Sequence, residues 1–375
     1  MKEYIYADNA ATTKLDIAAF EAMKPFLLDE YGNASQPYSF GRNAKKALIK
    51  AREMIAECIG ALPEEIYFTS GGSESNNWVI KGSALADPEK KITITSSIEH
   101  HALLHSCKSI ERFGYPVVYL PVSNSGQILP DTLESVITDR TRLVSIMYSN
   151  NEIGTLQPIR DLVRVAHSYG ALFHTDAVQV VGHVKINVRE LGVDFLSASA
   201  HKFNGPKGVG FLYIRKGVSL NAFIDGGSQE GGLRAGTENV AGIVGMAVAL
   251  SNNSASIDKN SAHLHSLENQ LMALLRNSSI DFIRNGGENT VPGNISLSFR
   301  SKDGEAILHC LDLMGISVST GSACDSTNTQ ISHVLKAIAL DESYAKGTIR
   351  ISLGKNNTTE DVIRIANALI KICTH

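Results

Sequence analysis

The chain has 375 residues, 43% hydrophobic and 19% charged, which suits a soluble protein with one large domain and a smaller one. A formal net charge of −3 supplies no global positive field, so neither nucleic acid nor anionic lipid is expected as a direct partner. The first residues lack the apolar run of a secretory signal and no segment offers about 18 uncharged apolar residues, so a cytoplasmic, non-membrane protein is expected.

In chain order, helical patterning covers 16–28 and 40–59, and a β-branched and aromatic run at 66–69 follows. That strand leads into 69–74, Thr-Ser-Gly-Gly-Ser-Glu, and then a helical pattern over 74–85. Backbone N–H groups at Gly72 and Ser73, with the Ser73 hydroxyl, could hold a phosphate at such a helix start; a glycine turn with a serine N-cap reads the same way. Strand runs at 92–95 and 117–120, a helix over 131–138, a strand at 143–148 and a helix over 159–169 continue the alternation. The strand at 171–174 ends in Thr175 and Asp176, with Gln179 three residues on. A carboxylate at that place could keep a pyridinium nitrogen protonated, although a strand-end Asp also serves as an N-cap or metal ligand. Strand 195–197 runs into 199–208, Ser-Ala-His-Lys-Phe-Asn-Gly-Pro-Lys-Gly. Here Lys202 sits beside small, phosphate-capable residues, as an imine-forming lysine requires, and a solvated loop lysine is the alternative.

A last strand run, 209–214, completes seven. Alternating strands and helices predict right-handed crossovers and an α/β fold with a mainly parallel seven-stranded sheet between helices. The polar stretch 251–256 reads as a hinge, followed by helices at about 258–277, 303–314 and 358–372 and strands at 294–299 and 348–353. The expected organisation is an N-terminal segment, 1–15, packing with the small domain, a large domain over 16–255, and a small α+β domain over 256–375. Five cysteines (Cys58, Cys107, Cys310, Cys324, Cys373) are widely spaced without a Cys-x-x-Cys, which argues against a disulfide framework and against structural zinc. Cys324 alone lies in a stretch, about 317–330, rich in Ser, Thr, Gly and Asn; an accessible loop is expected there, and packing roles for the other four.

Nine segments in register resemble one known family across nearly the whole chain. They are 6–13 (Tyr-Ala-Asp-Asn-Ala-Ala-Thr-Thr), 31–35 (Tyr-Gly-Asn-Ala-Ser), Glu99 with His100, 150–154 (Asn-Asn-Glu-Ile-Gly), the segments around Asp176 and Lys202, 234–237 (Arg-Ala-Gly-Thr), 319–324 (Ser-Thr-Gly-Ser-Ala-Cys) and 349–354 (Ile-Arg-Ile-Ser-Leu-Gly). The pattern resembles the class V, fold-type I enzymes that use pyridoxal 5'-phosphate (PLP), and among them the group I cysteine desulfurases of the nitrogenase and iron–sulfur-cluster type.

The resemblance implies that Lys202 carries PLP covalently, that Asp176 partners the ring nitrogen, and that Asn151 and Gln179 neighbour the ring oxygen. It also implies that His100 stacks on the ring, and that Gly72, Ser73, Ser199 and His201 hold the phosphate, His201 best as a cation. By the same comparison Thr237 reaches the cofactor of a neighbouring subunit in a homodimer, while Arg350 and Asn33 take the substrate carboxylate. L-cysteine would then give L-alanine, with Lys202 moving the α-proton and Cys324, aided by His100 as proton acceptor, taking the sulfur as a persulfide for an acceptor protein. Tyr38, where relatives commonly have histidine, and Gly231, where many have arginine, depart from the pattern and bear on substrate access or partner contacts. Relatives that serve cluster assembly often carry a tail beyond the last helix that docks a scaffold. The shorter end here points to a dedicated sulfur donor, for tRNA thiolation or DNA phosphorothioation for example. Selenocysteine lyase or another class V PLP activity of aminotransferase type, and a catalytically silent sulfur-relay subunit, are the alternatives; dependence on the loop thiol and PLP binding separate them from the desulfurase.

Overall fold

A computed structural model of the chain describes residues 4–87, 89–320 and 331–374. Its first strand, β1 (Ile5–Tyr6), is followed by seven that form one sheet: β2 (Ile66–Thr69), β3 (Ile92–Ser96), β4 (Val117–Leu120), β5 (Thr141–Ser145), β6 (Leu172–Asp176), β7 (Phe195–Ser199) and β8 (Gly210–Ile214). Their spatial order is β2-β8-β7-β6-β5-β3-β4, and β8 alone runs antiparallel to its neighbours. Side chains alternate between two apolar layers. Val144, Phe173, Leu196 and Phe211 face one core, while Leu143, Phe195 and Leu212 join Trp78 and Leu103 in the other. A sheet covered on both faces explains why the strands read as nearly continuous apolar runs.

Helices α1 (Ile17–Leu28), α2 (Arg42–Ile59), α3 (Gly72–Ala86) and α4 (His101–Glu111) lie in the first part of the chain. The crossover from β3 out to β4 and back to β5 reverses direction within the sheet, and ligands bind beyond the carboxyl ends of parallel strands at such a reversal.

Three more strands, β9 (Phe282–Asn285), β10 (Asn294–Phe299) and β12 (Thr348–Ser352), form an antiparallel sheet in the order β12-β10-β9; the short β11 (Ile316–Ser317) pairs in parallel with β1. Ile5 and Ala7 are buried in the same cluster as Leu264, Leu297, Ile349 and Ile365, so the start of the chain packs against its last third.

Several elements differ from expectation. The stretch 251–256 is no loop: Ser251 to Ser254 end the helix Val240–Ser254, and a bend of 69° leads into Ile257–Arg276. Its polar residues are held from inside, since the buried Asn253 donates to the Phe203 carbonyl (2.6 Å). The expected helix at 131–138 is the single turn Pro130–Glu134, and the expected strand at 143–148 occupies Thr141–Ser145 instead. Helix α4 and the helix Val240–Ser254 have no counterpart among the expected elements. No single helix among the described residues is long and apolar enough to cross a membrane.

Candidate active site

A cavity of about 400 Å³ opens where β3, β5, β6 and β7 end and where the N-terminal segment meets β12. Lys202, Asp176, Gln179, Asn151, Gly72, Ser73, Ser199, His201, His100 and Arg350 all line it, with Asp8, Ala10, Ala11 and Asn76.

Glycine is required at the β2–α3 turn, because Gly71 has φ +145° and a Cβ there would approach the Ser199 hydroxyl at 3.2 Å. Helix α3 starts at Gly72, and Ser73 lies within it, so the cap is Gly71 rather than serine. The first N–H groups of this 15-residue helix have no intrahelical partners and meet Ser199 and His201 across the cavity, an arrangement that suits an anion.

Asp176 ends β6 and is 6% exposed. Its carboxylate accepts from Asn76 Nδ2 (2.6 Å) and from the Val178 N–H (3.0 Å), which fix its direction. The other amide atom of that asparagine, Oδ1, is buried without a hydrogen-bond partner.

Lys202 closes a 3₁₀ turn, Ala200–Lys202, directly after β7. Its Nζ donates to the carbonyls of Ala10 (2.5 Å) and Ala11 (2.8 Å). The backbone of the turn is pinned at successive carbonyls. Thr13 donates to His201 O, His183 Nε2 to Lys202 O (2.8 Å) and Asn253 to Phe203 O. Gln179 Nε2 donates to the same Ala10 carbonyl (3.1 Å).

His100 is the N-cap of α4, and its Nδ1 accepts from the Ala102 N–H (3.1 Å). The neutral ring therefore carries its proton on Nε2 and presents a donor, which runs against the proton-acceptor role expected from the sequence. Burial keeps the ring below its usual pKa, Asp176 opposing and Lys202 assisting. His201 differs from expectation in charge: burial, with Lys202 and Lys207 nearby, pulls it down to about 4, so near neutral pH it offers an uncharged ring hydrogen-bonded to Thr12 Oγ1 (3.2 Å).

Arg350, on β12, is 6% exposed. Its Nη2 bonds Asp8 (2.8 Å) and its Nη1 the Asn151 carbonyl (2.9 Å), while Nε is buried with no hydrogen-bond partner. A guanidinium at the cavity wall that keeps a second N–H on both Nη1 and Nη2 is equipped for a carboxylate.

Two expected residues are not in this cavity. Asn33 uses its side-chain oxygen to accept from the Ser35 N–H (2.9 Å) and does not line it. Thr237 lines a separate pocket with Ser70, Gly208 and Arg234. Cys324 lies outside the described residues. Downstream of it, the buried Ser332 donates to the Glu152 carboxyl (2.6 Å), which burial raises to about 7. Residues missed from the sequence include Asp8, Ala10, Ala11 and Asn76. Their clue is the run 6–13, a motif whose residues carry no obvious chemistry of their own, and the place of Asn76 one helical turn beyond Gly72.

The four described cysteines do not line the cavity. Burial raises the thiols of Cys58, Cys107 and Cys373, the last to about 11, and Cys310 is exposed on the helix Gly304–Leu313.

Residues 5–365 match the aminotransferase class-V family model, and the chain belongs to that family. It is 50% identical over 374 residues to cysteine desulfurase IscS of Dictyoglomus turgidum, covering 99% of this chain and 95% of that protein. Among solved structures it is similar to a NifS-like protein, with TM-score 0.94, 39% identity and coverage of 99% of this chain and 100% of the other. It is also similar to SspA in complex with cysteine, with TM-score 0.84, 38% identity and coverage of 94% and 100%. Within the family the chain is a PLP-dependent cysteine desulfurase.

Proposed function

We propose that the cavity seats PLP and L-cysteine together, and that Cys324 receives the sulfur. The observation that carries the seating is the arrangement on one cavity of an unpaired helix start, the buried Asp176 carboxylate and the Lys202 amine. The residues present suit the cofactor. Gly72, Ser73, Ser199 and His201 would hold its phosphate, Asp176 its ring nitrogen, Asn151 and Gln179 its ring oxygen, His100 the ring face, and Lys202 its aldehyde carbon. PLP, when bound, supplies an electron sink that stabilises a carbanion at the substrate Cα.

The chain's own residues do the rest. Arg350 binds the substrate carboxylate through N–H groups not used by Asp8 and Asn151, and so orients the amino acid. Lys202 Nζ moves the α-proton, and the carbonyls of Ala10 and Ala11 aim it. His100 covers the cavity beside Asp176 and offers a proton from Nε2. The Cys324 thiolate then attacks the substrate sulfur. A new S–S bond forms, the substrate C–S bond breaks, and the proton lost by the thiol balances the one gained by carbon, so that L-cysteine and a thiol become L-alanine and a persulfide.

Exposed apolar residues on and beyond α1, including Ile17, Phe20, Leu28, Tyr31 and Phe40, support a homodimer in which this face is covered and Thr237 serves the partner's site. The separate clustering of Ile5 with Leu264 and Ile349 supports the division into a large domain (16–255) and a small one (256–375) joined by residues 1–15. An acceptor protein takes the persulfide sulfur onward to cluster assembly, tRNA thiolation or DNA phosphorothioation. A thiol that must stay reduced favours the cytoplasm.

Replacing Asp176 with Asn keeps the size and the contact with Val178 while removing the charge. The expected result is a fall in kcat of roughly a hundredfold or more with KM within a few-fold of wild type. Unchanged kcat would remove Asp176 from the proposed chemistry.

A further inference from the structure

Among the described residues, the charged groups lining the cavity are two cations, Lys202 and Arg350, and two anions, Asp176 and Asp8. Three of them have a role in the proposed chemistry; Asp8 has none. Its carboxylate nevertheless contacts the guanidinium that is to meet the substrate, at 2.8 Å, with side-chain exposures of 18% for Asp8 and 7% for Arg350.

The backbone of Asp8 is held in place. Its backbone bridges Ser352 in parallel, its carbonyl accepts from Tyr6 Oη (3.0 Å) and from the Ala11 N–H (3.0 Å), and the next residue, Asn9, donates to Ser352 O (3.0 Å). The same turn supplies the two carbonyls that hold Lys202 Nζ, so one short segment positions both the proton-moving amine and the carboxylate-binding arginine. Asp8 and Asn151 together occupy one N–H of Nη2 and one of Nη1, and with Nε buried only the remaining N–H groups are left for a ligand.

We infer that Asp8 is a specificity-determining residue: it offsets the charge of Arg350, so that the pocket accepts an amino acid with an uncharged side chain and rejects one carrying a second acidic group. The inference rests on the reading of Arg350 as the holder of the substrate carboxylate. A monoanionic amino acid places one negative charge near Asp8, and a dicarboxylic one places two, with no further cation among the described residues of the cavity wall to receive the second. Coulomb repulsion at these separations in a partly solvated site amounts to several-fold in affinity per charge. An Asp–Arg pair that served only to fasten the N-terminal segment would affect both classes of ligand equally.

The test is a titration of the PLP-loaded enzyme with L-alanine and with L-aspartate, followed by the change in the cofactor's visible absorbance. Asp8→Asn keeps an oxygen that can accept from Arg350 and removes the charge. L-alanine should bind about threefold tighter and L-aspartate about tenfold tighter or more, which narrows the gap between them. Asp8→Ser, also uncharged with an acceptor oxygen, should move the ratio in the same direction and covers the case in which the first variant fails to fold. A ratio unchanged in both variants, or equal weakening of both ligands, overturns the inference. Arg350→Gln should weaken both ligands about tenfold or more. If it does not, the carboxylate reading itself falls, and the inference with it; if it does while the Asp8 variants leave the ratio fixed, only the inference falls.

Discussion

Lys202→Ala should lower the turnover of L-cysteine by more than about a thousandfold while leaving the protein folded. The fold should survive because the turn is held by its backbone rather than by the amine. Thr13, His183 and Asn253 bond the carbonyls of His201, Lys202 and Phe203, and Phe203 is fully buried beneath them. What the substitution removes is the one amine directed at the cavity by two carbonyls. Without it the α-proton has no positioned acceptor, and PLP added to the variant should wash out on dialysis, because the covalent tether is gone. A variant that keeps its cofactor through dialysis and turns over within tenfold of wild type would mean that another group does this work.

Cys324→Ala should reduce L-alanine formation and sulfide release to background while the cofactor absorbance of the enzyme stays in place. The other four cysteines offer no substitute. Cys107 is fully buried, the Cys58 and Cys373 thiols are raised by burial, and the exposed Cys310 does not line the cavity. A thiol must be a thiolate to attack sulfur, and burial opposes that. Serine at each of those four positions should accordingly leave turnover within about twofold, in keeping with surface or packing substitutions that spare the site. Retention of full activity in Cys324→Ala would shift the chemistry to direct release of sulfur and favour the lyase alternative.

Much of this site could be read locally. Lys202, Asp176 and Gly72 each sit where a strand meets a turn or helix, and a few adjacent residues announce that geometry. What escaped the sequence depends on distant pairing. Asp8 meets Arg350 across 342 positions, and Asn76 meets Asp176 across 100, so neither pair leaves a pattern in a short window. Polarity misled in one place: the Ser and Asn residues at 251–254 suggested a hinge, yet Asn253 is buried because its amide satisfies a carbonyl in the Lys202 turn, and the segment stays helical. Charge state was equally out of reach. The cation expected at His201 depends on exposure, and burial beside two lysines leaves that ring neutral. For His100, a cap bond to Ala102 settles which nitrogen holds the proton, and only coordinates reveal such a bond.

The account stands or falls on where the sulfur goes. Holoenzyme mixed with one equivalent of L-cysteine, quenched with an alkylating agent and digested for mass spectrometry, should carry one added sulfur atom on the peptide containing Cys324, with an equal amount of L-alanine in solution. Sulfur found on Cys58, Cys107, Cys310 or Cys373, or L-alanine formed with no sulfur bound to the protein, would contradict it.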